Sequence, residues 1–166
     1  MHVVVMGVAG SGKTTVGLRL AGETHAEFAD ADDLHSPDAV AKMAADVPLT
    51  DEDRWPWLER VGEWLAGGGD RVVACSALKR AYRDAIRVHA PDAIFIHLWA
   101  EQGEIEHRLR KRAKATGHFA GPGLVESQFA ILENLEADEV GASIDVVSYS
   151  PEGAVLLARS AIDMRG

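Results

Sequence analysis

The chain has 166 residues, about the length of one domain, and apolar residues make up 47% of it, which is enough to bury a core. Its 17 Lys and Arg against 26 Asp and Glu give a formal net charge of −9. This balance argues against a protein that binds nucleic acid or an anionic membrane, because such proteins need a basic surface. It is compatible with a small anionic ligand held by a local group of cations.

The cysteine count and the apolar runs further limit the class of protein to which the chain can belong. Cys75 is the single cysteine of the sequence, so an intramolecular disulfide and a cysteine-rich zinc site are excluded. No apolar run approaches the roughly 20 residues that span a bilayer, and the first one reaches Gly7 without a basic leader. We therefore expect a soluble, cytoplasmic protein that forms one domain over residues 1–166.

Short β-branched runs alternate with longer amphipathic segments along the chain. The predicted strands cover residues 2–6, 26–30, 71–75, 93–99 and 143–148. The predicted helices cover residues 13–22, 37–45, 53–66, 78–89, 101–114, 124–136 and 151–164. Several strands are nearly all apolar, as is typical of strands buried on both faces. The alternation predicts an α/β fold with a parallel sheet that helices cover on both sides.

Residues 7–14 read GVAGSGKT and lie between the first predicted strand and the first predicted helix. This is the G-x-x-x-x-G-K-[ST] phosphate loop in the context that it requires. Glycines let backbone N–H groups wrap around phosphate oxygens, Lys13 can reach the β- and γ-phosphates, and the Thr14 hydroxyl can bind Mg²⁺. We therefore expect ATP and Mg²⁺ to bind here. The expected nucleotide contacts are Gly7, Gly10, Ser11, Gly12, Lys13, Thr14 and Thr15.

Three aspartates lie where the second predicted strand ends, at the edge of the sheet where ligands bind in open parallel α/β folds. Asp30 and Asp32 would point the same way on an extended chain, and Asp33 would not. A carboxylate at this edge can orient an acceptor hydroxyl or take its proton. An ordinary acidic turn that caps the next helix is the alternative, but beside a phosphate loop we favour Asp32 as the base.

Beyond the phosphate loop, more specific strings occur through most of the chain. They are DADDLH at 30–35, KM at 42–43, PLTD at 48–51, DRWPWL at 53–58, CSALKR at 75–80, YRD at 82–84, GHF at 117–119 and SQF at 127–129. In these strings the chain resembles the gluconokinases, small cytoplasmic kinases that phosphorylate D-gluconate with ATP. The resemblance implies a P-loop nucleoside-kinase-like fold with a five-stranded parallel sheet, a mobile lid at about residues 113–123, and a homodimer.

The matching strings also carry the candidate acceptor site. Gluconate is a carboxylate attached to a polyol, so it requires cations and several hydrogen-bonding groups. The candidate substrate-binding residues are the cations Arg54, Lys79 and Arg83, the polar residues Asp32, His35 and Ser76, and His118 beside the lid. Arg83 could equally lie on a solvated helix face. Trp55 or Trp57 could cover the sugar chain or belong to the core.

A second basic cluster precedes the predicted lid. Arg108 and Arg112 are four residues apart and so share one helical face. In kinases of this architecture such arginines contact the nucleotide at the base of the lid, so we expect both to bind ATP. A surface helix of salt bridges is the alternative. The expected catalytic residues are Asp32, which acts on the hydroxyl, and Lys13, Lys79 and Arg112, which neutralise developing charge.

Two other functions remain open at this point. One is a kinase of the same architecture that acts on another small hydroxy acid, such as shikimate, or on a nucleotide. The other is a nucleotide-binding switch without a small acceptor. A GTPase-like switch needs an N-K-x-D string to read the base, and the sequence has none, so gluconate phosphorylation is the favoured prediction.

Overall fold

A five-stranded parallel sheet forms the centre of the structure, a computed structural model that describes residues 1–117 and 122–165. The strand order is β2-β3-β1-β4-β5, and every neighbouring pair is parallel. The strands are β1 (His2–Met6), β2 (Glu27–Asp30), β3 (Arg71–Ala74), β4 (Ile94–Trp99) and β5 (Gly141–Asp145). The predicted α/β fold with a five-stranded parallel sheet is confirmed.

Helices connect the strands and cover both faces of the sheet. They are α1 (Lys13–Thr24), α2 (Pro37–Ala44), α3 (Asp51–Leu65), α4 (Arg80–His89), α5 (Gln102–Thr116), α6 (Pro122–Ile131) and α7 (Pro151–Asp163), with a short 3₁₀ helix at Ala31–Leu34. In the described ranges 1–117 and 122–165, no helix is both long enough and apolar enough to cross a membrane.

The central strand β1 is buried on both faces. Val3 and Val5 pack into a core layer with residues of α1, α5 and α7. Val4 and Met6 pack into the opposite layer with residues of α3 and α4. Each such side chain contributes about 1.5–3 kcal/mol on burial, so the position of β1 is strongly determined. The loop that leaves its carboxyl end is therefore attached to the most rigid part of the fold.

Several predicted limits differ from the structure, and in three elements a hydrogen bond or a strand pairing accounts for the difference. Helix α3 begins at Asp51, two residues early, because Thr50 forms a capping box with Asp53. Helix α6 ends at Ile131 instead of continuing to residue 136, because the backbone N–H of Glu133 donates to the Leu78 carbonyl (2.8 Å) outside the helix. Strand β5 covers residues 141–145 and not 143–148, and its first residue pairs with Phe95 of β4.

The close pairing of β5 with β4 yields a stability prediction. A Cβ added at Gly141 would overlap the carbonyl oxygen of Phe95, so Gly141→Ala must displace one strand. We expect this variant to lose about 2 kcal/mol or more of unfolding free energy in chemical denaturation. Gly103→Ala is the matched control, because Gly103 lies in the first turn of α5 and an added Cβ meets no atom within 4 Å. Equal stability of the two variants would contradict the prediction.

Candidate active site

The phosphate loop connects β1 to α1 and depends on glycine at both ends. Gly12 is the N-cap of α1 with φ 94°, a left-handed conformation that favours glycine. A Cβ at Gly7 would lie 2.5 Å from the Leu98 carbonyl oxygen. The Gly7 N–H donates to the Ser76 carbonyl (3.3 Å), so the start of the phosphate loop is bonded to the loop that follows β3. The sequence prediction of a strand–loop–helix phosphate site is therefore matched by the backbone.

Two side chains of the loop have the properties that phosphate binding requires. The Lys13 ammonium donates to the Val8 carbonyl (3.0 Å), and desolvation lowers its pKa while Asp32 opposes the change. The Ser11 hydroxyl is buried and has no hydrogen-bond partner within residues 1–117 and 122–165. A buried hydroxyl needs a partner, and a phosphate oxygen bound by the loop would provide one. These residues therefore fit a nucleotide polyphosphate.

Asp30 at the end of β2 joins the phosphate loop to the acidic turn. One carboxylate oxygen accepts the Thr14 hydroxyl (3.0 Å), and the other accepts the backbone N–H of Asp32 (3.0 Å). A hydroxyl beside a carboxylate is an oxygen set that Mg²⁺ prefers, so Thr14 and Asp30 fit this ion. Sequence reasoning placed Thr14 at the ion and omitted Asp30. The expected extended arrangement of Asp30 and Asp32 is wrong, because the chain turns at once into the 3₁₀ helix that Asp30 caps.

Asp32 and His35 lie together after this turn. Desolvation raises the pKa of Asp32, and Asp30 raises it further, against the opposite effects of Lys13 and His35. Desolvation lowers the pKa of His35, so its imidazole is neutral at pH 7. The His35 ring stacks on Trp57 with 4.2 Å between ring centroids, and its Nδ1 atom is buried without a partner among the described residues. A substrate hydroxyl would satisfy that nitrogen.

The two tryptophans have different environments. Trp57 is 4% exposed and its indole N–H donates to the Ala31 carbonyl (2.7 Å). It therefore belongs to the core, and the His35 ring stacks on it. Trp55 is 40% exposed and meets the Tyr82 ring edge-on.

Arg54 and Lys79 were both predicted from sequence to bind the substrate. They are brought together by Asp51 and Tyr82, which were not predicted. Asp51 accepts the Tyr82 hydroxyl (2.6 Å) and lies 3.5 Å from the Arg54 guanidinium and 3.7 Å from the Lys79 ammonium. Both cations also lie within 6 Å of the Tyr82 ring centroid. We call Arg54, Lys79, Asp51 and Tyr82 the cation cluster. Two cations against one carboxylate leave it net positive, as the binding of an anionic substrate requires.

The ionisation of the cation cluster follows from its hydrogen bonds. The Tyr82 hydroxyl, followed by Lys79 and Arg54, holds the pKa of Asp51 below its usual range despite opposing desolvation. Desolvation and the hydrogen bond to Asp51 raise the pKa of Tyr82 to about 12. At neutral pH the carboxylate is therefore ionised and the phenol is protonated, so Tyr82 donates to Asp51.

A cleft of about 340 Å³ opens beside the phosphate loop, within the usual size range of small-ligand sites. Arg108 lines it, donating to the Val146 carbonyl (2.6 Å) and to Glu104 (3.0 Å). The salt bridge of the alternative interpretation is therefore present, and the contact of Arg108 with ATP stays a prediction. Arg112 lies on the next turn of α5 and is exposed. The cleft is lined by Ser11, Gly12, Thr15, Val16, Arg108, Val146, Val147, Tyr149, Ser150, Pro151 and Ala154.

Comparison with known proteins identifies the family. Residues 3–129 match a family model described as an AAA domain. The chain is 41% identical over 140 residues to the thermosensitive gluconokinase of Escherichia coli K12, covering 82% of this chain and 73% of that protein. It is 43% identical over 141 residues to a gluconokinase of Gluconobacter oxydans 621H, covering 82% and 78%. The chain belongs to the gluconokinase family.

Solved structures agree with this gluconokinase assignment. An unliganded sugar kinase from Janibacter sp. HTCC2649 superposes with a TM-score of 0.88 and 46% identity, covering 98% of this chain and 94% of that one. A gluconokinase from Sinorhizobium meliloti 1021 gives a TM-score of 0.86 and 39% identity, covering 99% and 95%. A shikimate kinase from Aquifex aeolicus, at 17% identity and a TM-score of 0.61 over the full length of both chains, shares the fold alone.

One sequence prediction for this gluconokinase site is corrected by the structure. Arg83 was expected to bind the substrate or to lie on a solvated helix face, but its side chain is fully buried. Its guanidinium forms an ion pair with Glu139 (2.7 Å) and donates to backbone carbonyls. Arg83 is therefore an internal residue beneath the site. His118 and residues 119–121 of the predicted lid lie outside the described residues.

Gln128 has no role in the sequence-based predictions, although it belongs to the SQF string shared with gluconokinases. It lies on α6, and its side-chain oxygen accepts the backbone N–H of Ala9 in the phosphate loop (2.7 Å). Lys13 donates to the Val8 carbonyl, which is the other end of the same peptide unit. Lys13 and Gln128 thus hold one phosphate-loop peptide from both sides. The contact joins distant segments, so local patterns could not predict it.

Replacement of Gln128 should weaken nucleotide binding. Gln128→Leu keeps the size of the side chain but removes the acceptor for the Ala9 N–H. We expect the dissociation constant for ATP to rise about fivefold, as for the loss of one net hydrogen bond of about 1 kcal/mol. Calorimetric titration with ATP measures this. Gln102→Leu is the control, because Gln102 bonds to Glu106 within α5. Unchanged affinity in Gln128→Leu, or equal weakening in the control, would contradict the prediction.

Proposed function

We propose that this chain transfers the γ-phosphoryl group of ATP to a terminal hydroxyl of gluconate, giving 6-phosphogluconate and ADP. The observation that carries the proposal is the bond between the phosphate loop and the loop after β3, from the Gly7 N–H to the Ser76 carbonyl. Because β1 and β3 are parallel neighbours, the phosphate loop and the segment that carries Lys79 leave the same edge of the sheet, and this bond joins them. Membership of the gluconokinase family supports the same substrate.

The residues around that edge match the chemistry of gluconate. Arg54 and Lys79 of the cation cluster would bind the carboxylate by charge-assisted hydrogen bonds. The neutral His35 ring has one hydrogen-bond donor and one acceptor. Its Nδ1 atom has no partner among the described residues, so this nitrogen is available to a hydroxyl of the polyol. Ser76 is half-buried on the loop after β3 and supplies a further hydroxyl. The fixed positions of these groups would select a linear hydroxy acid.

Asp32 is the residue that we propose to act on the acceptor hydroxyl. Its raised pKa would make the ionised carboxylate a better proton acceptor than an ordinary one. It would orient the terminal hydroxyl for in-line attack and take its proton. Lys13 would neutralise charge as the phosphoryl group transfers. The catalytic role predicted for Lys79 is the alternative to its binding of the carboxylate, because one ammonium cannot contact both ends of a six-carbon acid.

The ion and the lid complete the proposal. Thr14 and Asp30 would hold Mg²⁺, which supplies charge neutralisation of the phosphates when bound. Arg108 would contact the nucleotide in the cleft and Arg112 would act from the base of the lid. His118 would act from the lid itself, which would exclude water from the transferring group. A homodimer and a cytoplasmic location are further expectations. The homodimer rests on the family resemblance, and the cytoplasmic location rests on the single cysteine as well.

The acceptor itself is tested by a panel of hydroxy compounds. ADP release is followed with gluconate, other sugar acids, shikimate and nucleoside monophosphates, and the product is located by mass spectrometry. We expect gluconate-dependent ADP release with phosphate on the terminal carbon. Activity on another acceptor with no response to gluconate would show that the other compound is the substrate. ATP binding without any acceptor-dependent turnover would favour a nucleotide-binding switch.

The role of Asp32 gives a separate prediction. Asp32→Asn should lower kcat at least about 10²-fold, because the amide cannot take the proton, with little change in ATP affinity. Asp33→Asn is a matched control one residue away, on an exposed side chain, and should keep wild-type turnover. Steady-state kinetics with gluconate and a titration with ATP make both measurements. Wild-type turnover in Asp32→Asn would show that the base assignment is wrong.

A further inference from the structure

We propose that Arg83 is a positioning residue for phosphoryl transfer, which holds residues 76–79 in place from beneath the active site. We call residues 76–79 the acceptor loop, because they carry Ser76 and Lys79. Among the described residues, the Arg83 side chain makes no hydrogen bond or ion pair with the phosphate loop or with the side chains of the cation cluster. Its effect on the reaction would pass through the backbone of the acceptor loop, and the nature of the acceptor rests on the proposed function.

The hydrogen bonds of Arg83 connect the acceptor loop to a second segment. Its guanidinium donates to the carbonyls of Ala77 (3.0 Å) and Leu78 (3.3 Å), the two residues just before Lys79. It also donates to the carbonyls of Glu133 (3.0 Å) and Asn134 (3.3 Å), in the segment after α6. A planar guanidinium with five N–H donors can serve this many acceptors, whereas an ammonium has three donors and no fixed plane.

Glu139 fixes Arg83 in this position. It accepts from Arg83 Nε (2.7 Å) and Nη2 (2.9 Å), and both side chains are fully buried. Burial alone would raise the pKa of Glu139, but hydrogen bonds from Arg83, from the Glu136 backbone and from Arg87 outweigh it and lower the pKa to about 2. The carboxylate is therefore ionised at physiological pH, and the two-point ion pair orients the plane of the guanidinium.

The acceptor loop needs external support because its backbone is strained. Ala77 has φ 43°, a left-handed conformation that residues with a Cβ seldom adopt. Arg83 binds the carbonyl of this residue and that of the next. On the other side, the Ser76 carbonyl accepts the Gly7 N–H of the phosphate loop. The conformation that directs Lys79 to the cation cluster is thus held between the phosphate loop and Arg83.

Arg87, one turn further along α4, provides a matched control. It also pairs with Glu139 (2.6 Å), and it lies over the Phe95 ring and pairs with Asp84. Among the described residues it makes no hydrogen bond to the acceptor loop. The same substitution, Arg→Lys, therefore perturbs the same buried carboxylate at both positions but removes loop contacts at Arg83 alone.

The experiment compares Arg83→Lys with Arg87→Lys in the full chain. We expect Arg83→Lys to lower kcat/KM for gluconate at least about tenfold, with the dissociation constant for ATP within about twofold of wild type. Arg87→Lys should keep kcat/KM for gluconate within about twofold of wild type, even if its Tm falls as far as the Tm of Arg83→Lys. Hydrogen–deuterium exchange should be faster at residues 76–79 in Arg83→Lys and unchanged there in Arg87→Lys. Equal kinetic losses in both variants, or equal losses for ATP and gluconate, would overturn the proposal.

A double-mutant cycle tests whether Arg83 acts through Lys79. If it does, Arg83→Lys should cost much less in a Lys79→Met background than in the wild type. A purely structural Arg83 would give additive losses. If Arg83→Lys does not fold, Glu139→Gln takes its place in the same comparison, because it keeps an acceptor but removes the orienting charge.

The outcome is separable from that of the proposed function. If another acceptor replaces gluconate, the same comparison is made with that acceptor. If no acceptor is turned over, hydrogen–deuterium exchange at residues 76–79 alone tests the positioning role. Unchanged exchange there in Arg83→Lys would reject that role.

Discussion

Burial of β1 on both faces is the constraint on which the rest of this active site depends. Val3, Val5, Val4 and Met6 fill two opposite core layers, so the strand can shift neither along the sheet nor out of it without losing packing on both sides. The phosphate loop leaves the end of this strand. Because all neighbours are parallel, the loops after β2 and β3 reach the same edge. The nucleotide and acceptor halves of the site meet for that reason.

The charged side chains at that edge of the sheet occur as cations paired with carboxylates. The chain carries a net charge of −9, yet the cations predicted to bind its ligands are held beside carboxylates that orient them. Asp51 lies between Arg54 and Lys79, and Glu104 holds Arg108. An acidic partner fixes the geometry of a long cationic side chain at the cost of part of its charge. The arrangement suits small anions, which need a few directed cations, and not a polyanion, which needs a broad basic surface.

Rigid support beneath the site is the second requirement. The Arg83–Glu139 ion pair is fully buried, and such a pair costs much desolvation for little net stability. Its place under a strained backbone is consistent with a role in geometry more than in stability. Gln128 supports the phosphate loop in a comparable way from α6. Phosphoryl transfer depends on positioning and charge placement, so residues outside the reacting shell can contribute to rate.

Local patterns in the sequence were sufficient for the fold class, the five strands and the phosphate loop. These features depend on hydrophobic periodicity and on a glycine motif whose residues are adjacent in the chain. Asp32 was a candidate for a similar reason, because it follows the second predicted strand beside the phosphate loop. His35, Arg54 and Lys79 became candidates through the strings in which the chain resembles the gluconokinases.

Tertiary structure alone decided how those candidates are connected. Arg83 is polar and lies on an amphipathic helix, so its sequence cannot distinguish a solvated cation from one paired with Glu139, which is 56 residues away. Asp51 and Gln128 likewise acquire their roles from partners 31 and 119 residues distant. The sequence by itself determined which residue types are available at the site. Long-range packing decided which of them come together at one edge of the sheet and which hold other segments in place from the interior, because hydrogen bonds and buried ion pairs depend on proximity in space and not in the chain.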